Sequence, residues 1–200
     1  MDYSIKRTRD FYEGQIKREQ EASYLNNLFF EQGIPLKFNR FHHTLKAMNT
    51  NDKVTNNIVD NYLKDSKLGM SLHYRLKKAG SKVEIPFIFA YEDSGGVYLK
   101  LPKEFKPIPQ AYLDLLVSSN YHILIVGKAS TESYRIYSRV ISFKDIVNQP
   151  RVWKWQMATS KGNTNRLQFY GSLSTIKYLH PTENTLFDPP LLESLQNFFL

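Results

Sequence analysis

Met70-Ser71-Leu72-His73-Tyr74-Arg75-Leu76-Lys77 alternates apolar and polar residues with a period of two, the spacing of a strand with one face in a core and the other toward water. Ala79-Gly80-Ser81 supplies a turn, and Val83, Ile85, Phe87 and Phe89 keep the alternation going as a second strand. Asp93-Ser94-Gly95-Gly96 turns the chain again, and Val97, Leu99 and Leu101 form a third strand. The stretch therefore predicts a strand meander.

Downstream, Pro107 and Pro109 break the sheet, and Pro109 suits the first turn of a helix carrying Ala111, Tyr112, Leu113, Leu115 and Leu116. That helix should end at Ser118-Ser119-Asn120. Tyr121 to Gly127 is continuously apolar, as a central strand covered on both faces requires, and Tyr134 to Ile141 follows as its β-rich partner. Ser142 can cap a short helix from Phe143 to Val147. Strand-like segments then occupy Val152 to Met157, Leu167 to Tyr170 and Leu173 to Leu179, and Asp188 with two prolines precedes a last helix bearing Leu191, Leu192, Leu195, Phe198 and Phe199.

Upstream, Asp10 can cap a helix with Phe11, Tyr12, Ile16, Tyr24, Leu25, Leu28 and Phe29 near helical spacing, stopped by Gly33 and Pro35. Its polar residues Lys17, Arg18, Glu19 and Glu21 are expected on a solvated face. Asn51 or Asp52 can cap a second helix containing Val54, Ile58, Val59, Tyr62 and Leu63. Helices, meander, helix, central strands and a β-rich end add up to an α+β fold, with a mixed, mostly antiparallel sheet flanked by helices. With 200 residues and no linker or repeat, residues 1–200 are expected to form a single domain.

The formal charge is +8 and the pI near 9.5, a balance that attracts polyanions, nucleic acid first and an anionic membrane surface second. There is no cysteine, which removes disulfides, thiolate metal sites and a cysteine nucleophile, and fits a reducing cytoplasm. No apolar run approaches a membrane span, and Met1 to Arg7 lacks the apolar segment of a secretion signal. A cytoplasmic protein without membrane attachment is the expectation.

From Ile146 to Thr182 the chain carries no Asp or Glu, while Arg151, Lys154, Lys161, Arg166 and Lys177 stand among Trp153, Trp155, Phe169, Tyr170, Tyr178 and His180. Cations can neutralise phosphates, and aromatic and amide side chains can stack on bases or read their edges. Arg151, Lys154, Trp155, Lys161, Asn163, Asn165, Arg166 and Lys177 are accordingly the candidate nucleic-acid contacts, with the Lys161 to Arg166 loop as the reader of base edges. Core burial competes for the tryptophans. Lys37 to Lys46 is a second acid-free, basic and aromatic stretch, from which Arg40 joins the candidates.

Metal-dependent phosphodiester cleavage needs carboxylates to hold Mg²⁺ and a cation beside the attacking water. Glu92 and Asp93 are candidate metal ligands, with Lys100 on the following strand. Asp93 at its turn, Lys100, the helix from Pro109 to Ser118, the strand from Tyr121 to Gly127, Tyr134 to Tyr137 and Phe143 to Ile146 together resemble the PD-(D/E)-x-K core of type II restriction endonucleases. Tyr98 stands where that family has an acid two residues before the lysine, and a second match, Asp114 with Lys128, fails likewise at Val126. The resemblance implies that Glu84, Glu92 or the helix residues Glu19 and Glu21 complete the carboxylate set, and that a homodimer cuts double-stranded DNA at a specific sequence with Mg²⁺.

Two other functions fit the same residues. One is a DNA- or RNA-binding module without catalysis, for which Glu92 to Gly95 is a solvated hairpin turn. The other is a metal-free hydrolase or base-excision enzyme built on Tyr178, His180 and Glu183, where a simple loop hydrogen bond between His180 and Glu183 competes. His42 and His43 are adjacent, so on a strand they diverge and do not chelate one metal. No phosphate loop, dinucleotide fingerprint or Gly-x-Ser-x-Gly elbow occurs in the sequence.

Overall fold

The computed structural model describes residues 3–40, 48–64, 73–93, 96–101, 103–126, 139–150, 153–158, 166–172 and 189–200. The architecture is α+β, with a mixed sheet between helices. Helix α1 (Tyr3–Glu31) leads into strand β1 (Leu36–Arg40), and helix α2 (Lys53–Lys64) into the meander β2 (His73–Lys78), β3 (Glu84–Asp93) and β4 (Gly96–Lys100). A 3-10 turn at Lys103–Phe105 precedes α3 (Pro109–Ser118), β5 (His122–Val126), β6 (Arg139–Ser142) and α4 (Phe143–Val147). Strands β7 (Trp153–Ala158) and β8 (Arg166–Ser172) and helix α5 (Pro189–Gln196) complete the described elements.

The ends of the helices follow local chemistry. Gly33 adopts φ 65°, and its N–H donates to the Phe30 carbonyl at 3.1 Å while the Ile34 N–H donates to that of Phe29 at 2.8 Å. This is the Schellman closure that a glycine after a helix permits. Asp52 caps α2, accepting from the N–H groups of Val54 and Thr55 at 3.1 and 3.0 Å, and the Thr55 hydroxyl above all, with these backbone bonds, holds its carboxyl below the usual range. Ser142 caps α4 through the Asp145 N–H at 3.0 Å.

Strand β3 organises the sheet. Its first half pairs antiparallel with β2, its middle pairs parallel with β5, and its end pairs antiparallel with β4. Ile85, Phe87 and Phe89 pack with α1, α5, β1 and β2, whereas Ile88 and Ala90 pack with α2, α3 and α4. β5 divides the same way, Leu124 toward the first group and Ile123 and Ile125 toward the second. A strand covered on both faces loses the apolar-polar alternation of a half-exposed one, which accounts for the continuous apolar runs of β3 and β5.

Several findings depart from the sequence reading. Helix α1 begins at Tyr3, so Asp10 lies within it and does not cap it, and Val83 is exposed just before β3 begins. The polar residues of α1 are not simply solvated: Glu21 is 1% exposed, and the Arg18 guanidinium donates to the Phe89 carbonyl at 3.1 Å. Ile16 is exposed instead of packed, because the buried residues described on α1, from Glu21 to Phe29, lie in its C-terminal part against β1. His73 is buried on the face of β2 opposite Tyr74 and Leu76, with its Nδ1 2.7 Å from the Tyr121 hydroxyl. A neighbouring buried pair, Tyr62 and Tyr112, meets edge to face with ring centroids 6.0 Å apart, and burial pushes both hydroxyls far above the ordinary tyrosine range.

Asn26 docks α1 onto the outer side of β1. Its amide donates to the Phe38 carbonyl at 3.0 Å and its oxygen accepts from the Phe38 N–H at 2.7 Å, so one side chain satisfies both backbone groups that the β1–β2 ladder leaves open. Asn26→Ala should lower unfolding stability by about 2 kcal/mol, read as a lower urea midpoint; an unchanged midpoint would show that water replaces both bonds without loss. His122 offers a second check. It packs between Phe87 and Phe198, and its Nδ1 is 3.1 Å from the Asn120 carbonyl. Burial lowers its pKa, with the Asn120 carbonyl and Asp145 acting in the opposite sense. The unfolded chain therefore binds a proton at a pH where the folded chain does not, and stability falls as pH drops below about 6.5. The loss of Tm between about pH 7.5 and 5.5 should shrink in His122→Leu; an equal loss in both proteins would assign it elsewhere.

Candidate nucleic-acid interface

Beyond the two-faced core, β4, β8 and β7 continue the sheet as an antiparallel wing. None of the three strands contains Asp or Glu. Register aligns Val97, Gly171 and Trp153 in one row across the wing, and Tyr98, Tyr170 and Lys154 in the next. The following rows are Leu99, Phe169 and Trp155, then Lys100, Gln168 and Gln156. Successive rows belong to opposite faces of a sheet.

The faces are identified by the buried residues. Val97 and Trp153 are buried in the core beneath α2, α3 and α4, so the apolar rows belong to that face. Lys154 is exposed, so the rows of Tyr98, Tyr170 and Lys154 and of Lys100, Gln168 and Gln156 occupy the other. Arg166 pairs with Ala158, two residues from Gln168 and Gln156, and falls on this same face. The wing thus has an apolar side that completes the core and a side whose sequence positions are cations, tyrosines and amides.

Several expected contacts now separate. Lys154 and Trp155 do not share a face: Trp155 has the parity of buried Trp153, because side chains alternate along a strand. Arg40 is on β1, at the opposite end of the strand order from β7, and makes a 2.9 Å ion pair with Glu19, so it is not part of the wing. Arg151, Lys161, Asn163, Asn165 and Lys177 lie outside the described residues, as do Lys128, His42, His43, Tyr178, His180 and Glu183.

The proposed carboxylate set is dispersed. Glu84 and Asp93 are the two ends of β3, about 30 Å apart at the rise of an extended strand, so Glu84 does not join Asp93 around one metal. Glu84 instead makes ion pairs with both Arg75 and Lys77, which hold its carboxyl below the usual range, the Lys77 hydrogen bond contributing most. Glu19 is held by Arg40 and Glu21 is buried. Asp114 is exposed on α3 and accepts from Gln110 at 2.8 Å. Asp93 pairs across the hairpin with Gly96 and Glu92 with Val97, whereas Lys100 lies four residues further along β4, paired with Gln168. Among the described residues, no group of three His, Asp or Glu comes together as a metal site.

What the residue-by-residue reading missed is that β4 adds Tyr98 and Lys100 to the acid-free segment. The signal was available in Gly96-Val97-Tyr98-Leu99-Lys100, which has the same alternation and the same lack of acids as β7 and β8. No protein-family model matches the chain, and comparison with curated proteins and with solved structures finds no match either. Among the described residues, no helix is long and apolar enough to cross a membrane.

Proposed function

We propose that this protein binds DNA through the outward face of the β4–β8–β7 wing. The observation that carries the reading is the parity of the wing: the rows sharing a face with exposed Lys154 hold Lys100 and Arg166, Tyr98 and Tyr170, and no acid. Such a face attracts a phosphate backbone without a repelling carboxylate, and its tyrosine and glutamine positions suit contacts to sugar and bases. A chain without cysteine suits the reducing cytoplasm in which such a partner is met. Double-stranded DNA bound by a homodimer is the form of the complex we favour, because two copies of one wing fit a two-fold site.

A second reading adds cleavage, and a specific observation favours it. Tyr91 pairs with Val126 at the carboxyl end of the parallel strands β3 and β5, and Glu92 and Asp93 follow directly. Crevices outside the carboxyl ends of parallel strands are where sheets of this kind hold ligands. Two adjacent carboxylates are oxygen donors of the sort Mg²⁺ takes, and Lys100 would supply the cation for restriction-type hydrolysis of the phosphodiester.

Fluorescence anisotropy with a labelled duplex tests the binding reading. Lys154→Glu with Arg166→Glu should weaken binding at least about tenfold and reduce the slope of log K against log salt by about 1.8, two phosphate contacts being lost. Lys53→Glu on α2 serves as a control of equal charge change per site. Wing variants that bind like the parent protein would overturn the proposal. For the second reading, Asp93→Ala should abolish Mg²⁺-dependent nicking of plasmid DNA while duplex affinity stays within about threefold; nicking that survives the substitution would remove Asp93 from any active site.

A further inference from the structure

The face of β1 and β2 turned away from α1 is a second concentration of positive charge. Leu36, Phe38, Tyr74 and Leu76 pack under α1 and α5, so Lys37, Asn39, Arg75 and Lys77 belong to the other face. Register sets Lys37 directly opposite Lys77, and Asn39 opposite Arg75. Lys82, exposed in the turn between β2 and β3, extends the patch. None of these residues belongs to the helix-covered core on that side, and Lys37 and Lys77 are exposed or half-exposed.

Like charges directly opposite in an antiparallel pair oppose folding. A lone lysine on an edge strand is explained by protection against strand addition, but that need does not account for Arg75 and Lys77 on the interior strand β2. Glu84 is the carboxylate in this row, and it bridges both. It holds two cations side by side yet leaves Lys37 and Lys82 to set the sign of the patch. The cations are spaced by sheet geometry, about 5 Å across the strands and about 7 Å along them, a regular array matched to a repeating polyanion.

We infer that this β1–β2 face is a second nucleic-acid contact surface, and that one molecule engages two DNA segments. It rests on the reading of the wing as a DNA-binding face. The two surfaces have opposite parity: Lys77 pairs with Glu84 on the side of β3 that carries Ile88 and Ala90, whereas Lys154 lies on the side away from Val97 and Trp153. They also flank β3 from opposite ends of the strand order. One straight duplex does not follow both faces of a sheet, so simultaneous occupancy brings in a second segment. Glu84 is then a positioning residue for Arg75 and Lys77.

The test uses beads carrying one duplex, the full-length protein, and a second, fluorescent duplex in solution. The parent protein should retain the second duplex on the beads. Lys37→Glu with Lys77→Glu should still bind a single duplex within about threefold, yet retain less than about a fifth of the second; the milder Lys37→Gln with Lys77→Gln should give a smaller loss in the same direction. Bridging that persists unchanged in both double variants would overturn the inference, as would a parent protein that retains no second duplex. Vesicles containing phosphatidylserine form the remaining arm, and loss of vesicle binding with DNA bridging intact would assign the face to a membrane instead. Failure of the wing reading is distinguishable, since it would appear as Lys154→Glu with Arg166→Glu leaving single-duplex affinity unchanged.

Discussion

The fold rests on one strand that must be satisfied on four sides. β3 is ten residues long, pairs with β2, β5 and β4 along its length, and carries buried side chains on both faces. A buried backbone without hydrogen-bond partners is costly, so each pairing is required, and each fixes another part of the molecule. The β2 pairing brings β1 and thereby α1, the β5 pairing brings α3 and β6, and the β4 pairing launches the wing. The aromatic side chains Phe87 and Phe89 are the inner wall of one core, with Phe38 meeting both at 5.3 and 5.1 Å in edge-on geometry, an arrangement suited to ring quadrupoles.

That constraint also explains where polar residues enter the interior. Tyr121, just before β5, and His122, its first residue, turn in opposite directions: Tyr121 reaches His73, and His122 lies between Phe87 and Phe198. Asn120 holds φ 55° just before them, the left-handed conformation that asparagine tolerates better than most residues. Its carbonyl meets the imidazole of His122. The turn between α3 and β5 is therefore tied to the core by the polar groups that the strand buries.

Periodicity made most of this legible. The alternation of Tyr74 and Leu76, the continuous run from Ile123 to Ile125, Pro109 at a helix start, and the caps at Asp52 and Ser142 all identify elements from local chemistry, and all reappear in the structure. The burial of Glu21 and the coupling of Arg18 to Phe89 were not legible, because they depend on which strand the helix meets, 71 residues away in the second case. The site was less legible than the fold for the same reason. Glu84, Glu92, Asp93 and Lys100 read as neighbours on adjacent strands, but register separates Glu84 from Asp93 by the whole length of β3. A carboxylate list carries no register; alternation does.

Alternation also decides where function can be housed. A strand buried on both faces has no free side on which to present chemistry, so the acidic residues of β3 stand at its two ends, Glu84 at one and Glu92 and Asp93 at the other. On the flanks parity divides the residues of a strand: what places Trp153 in the core places Lys154 outside it, and what places Tyr74 and Leu76 under α1 places Arg75 and Lys77 on the far face. Positively charged positions thereby recur on two faces at opposite ends of the strand order, Lys37, Arg75 and Lys77 on one and Lys154 on the other. At one of them Glu84 balances part of the repulsion between Arg75 and Lys77. At the other, the described rows that share a face with Lys154 contain no acid to do so.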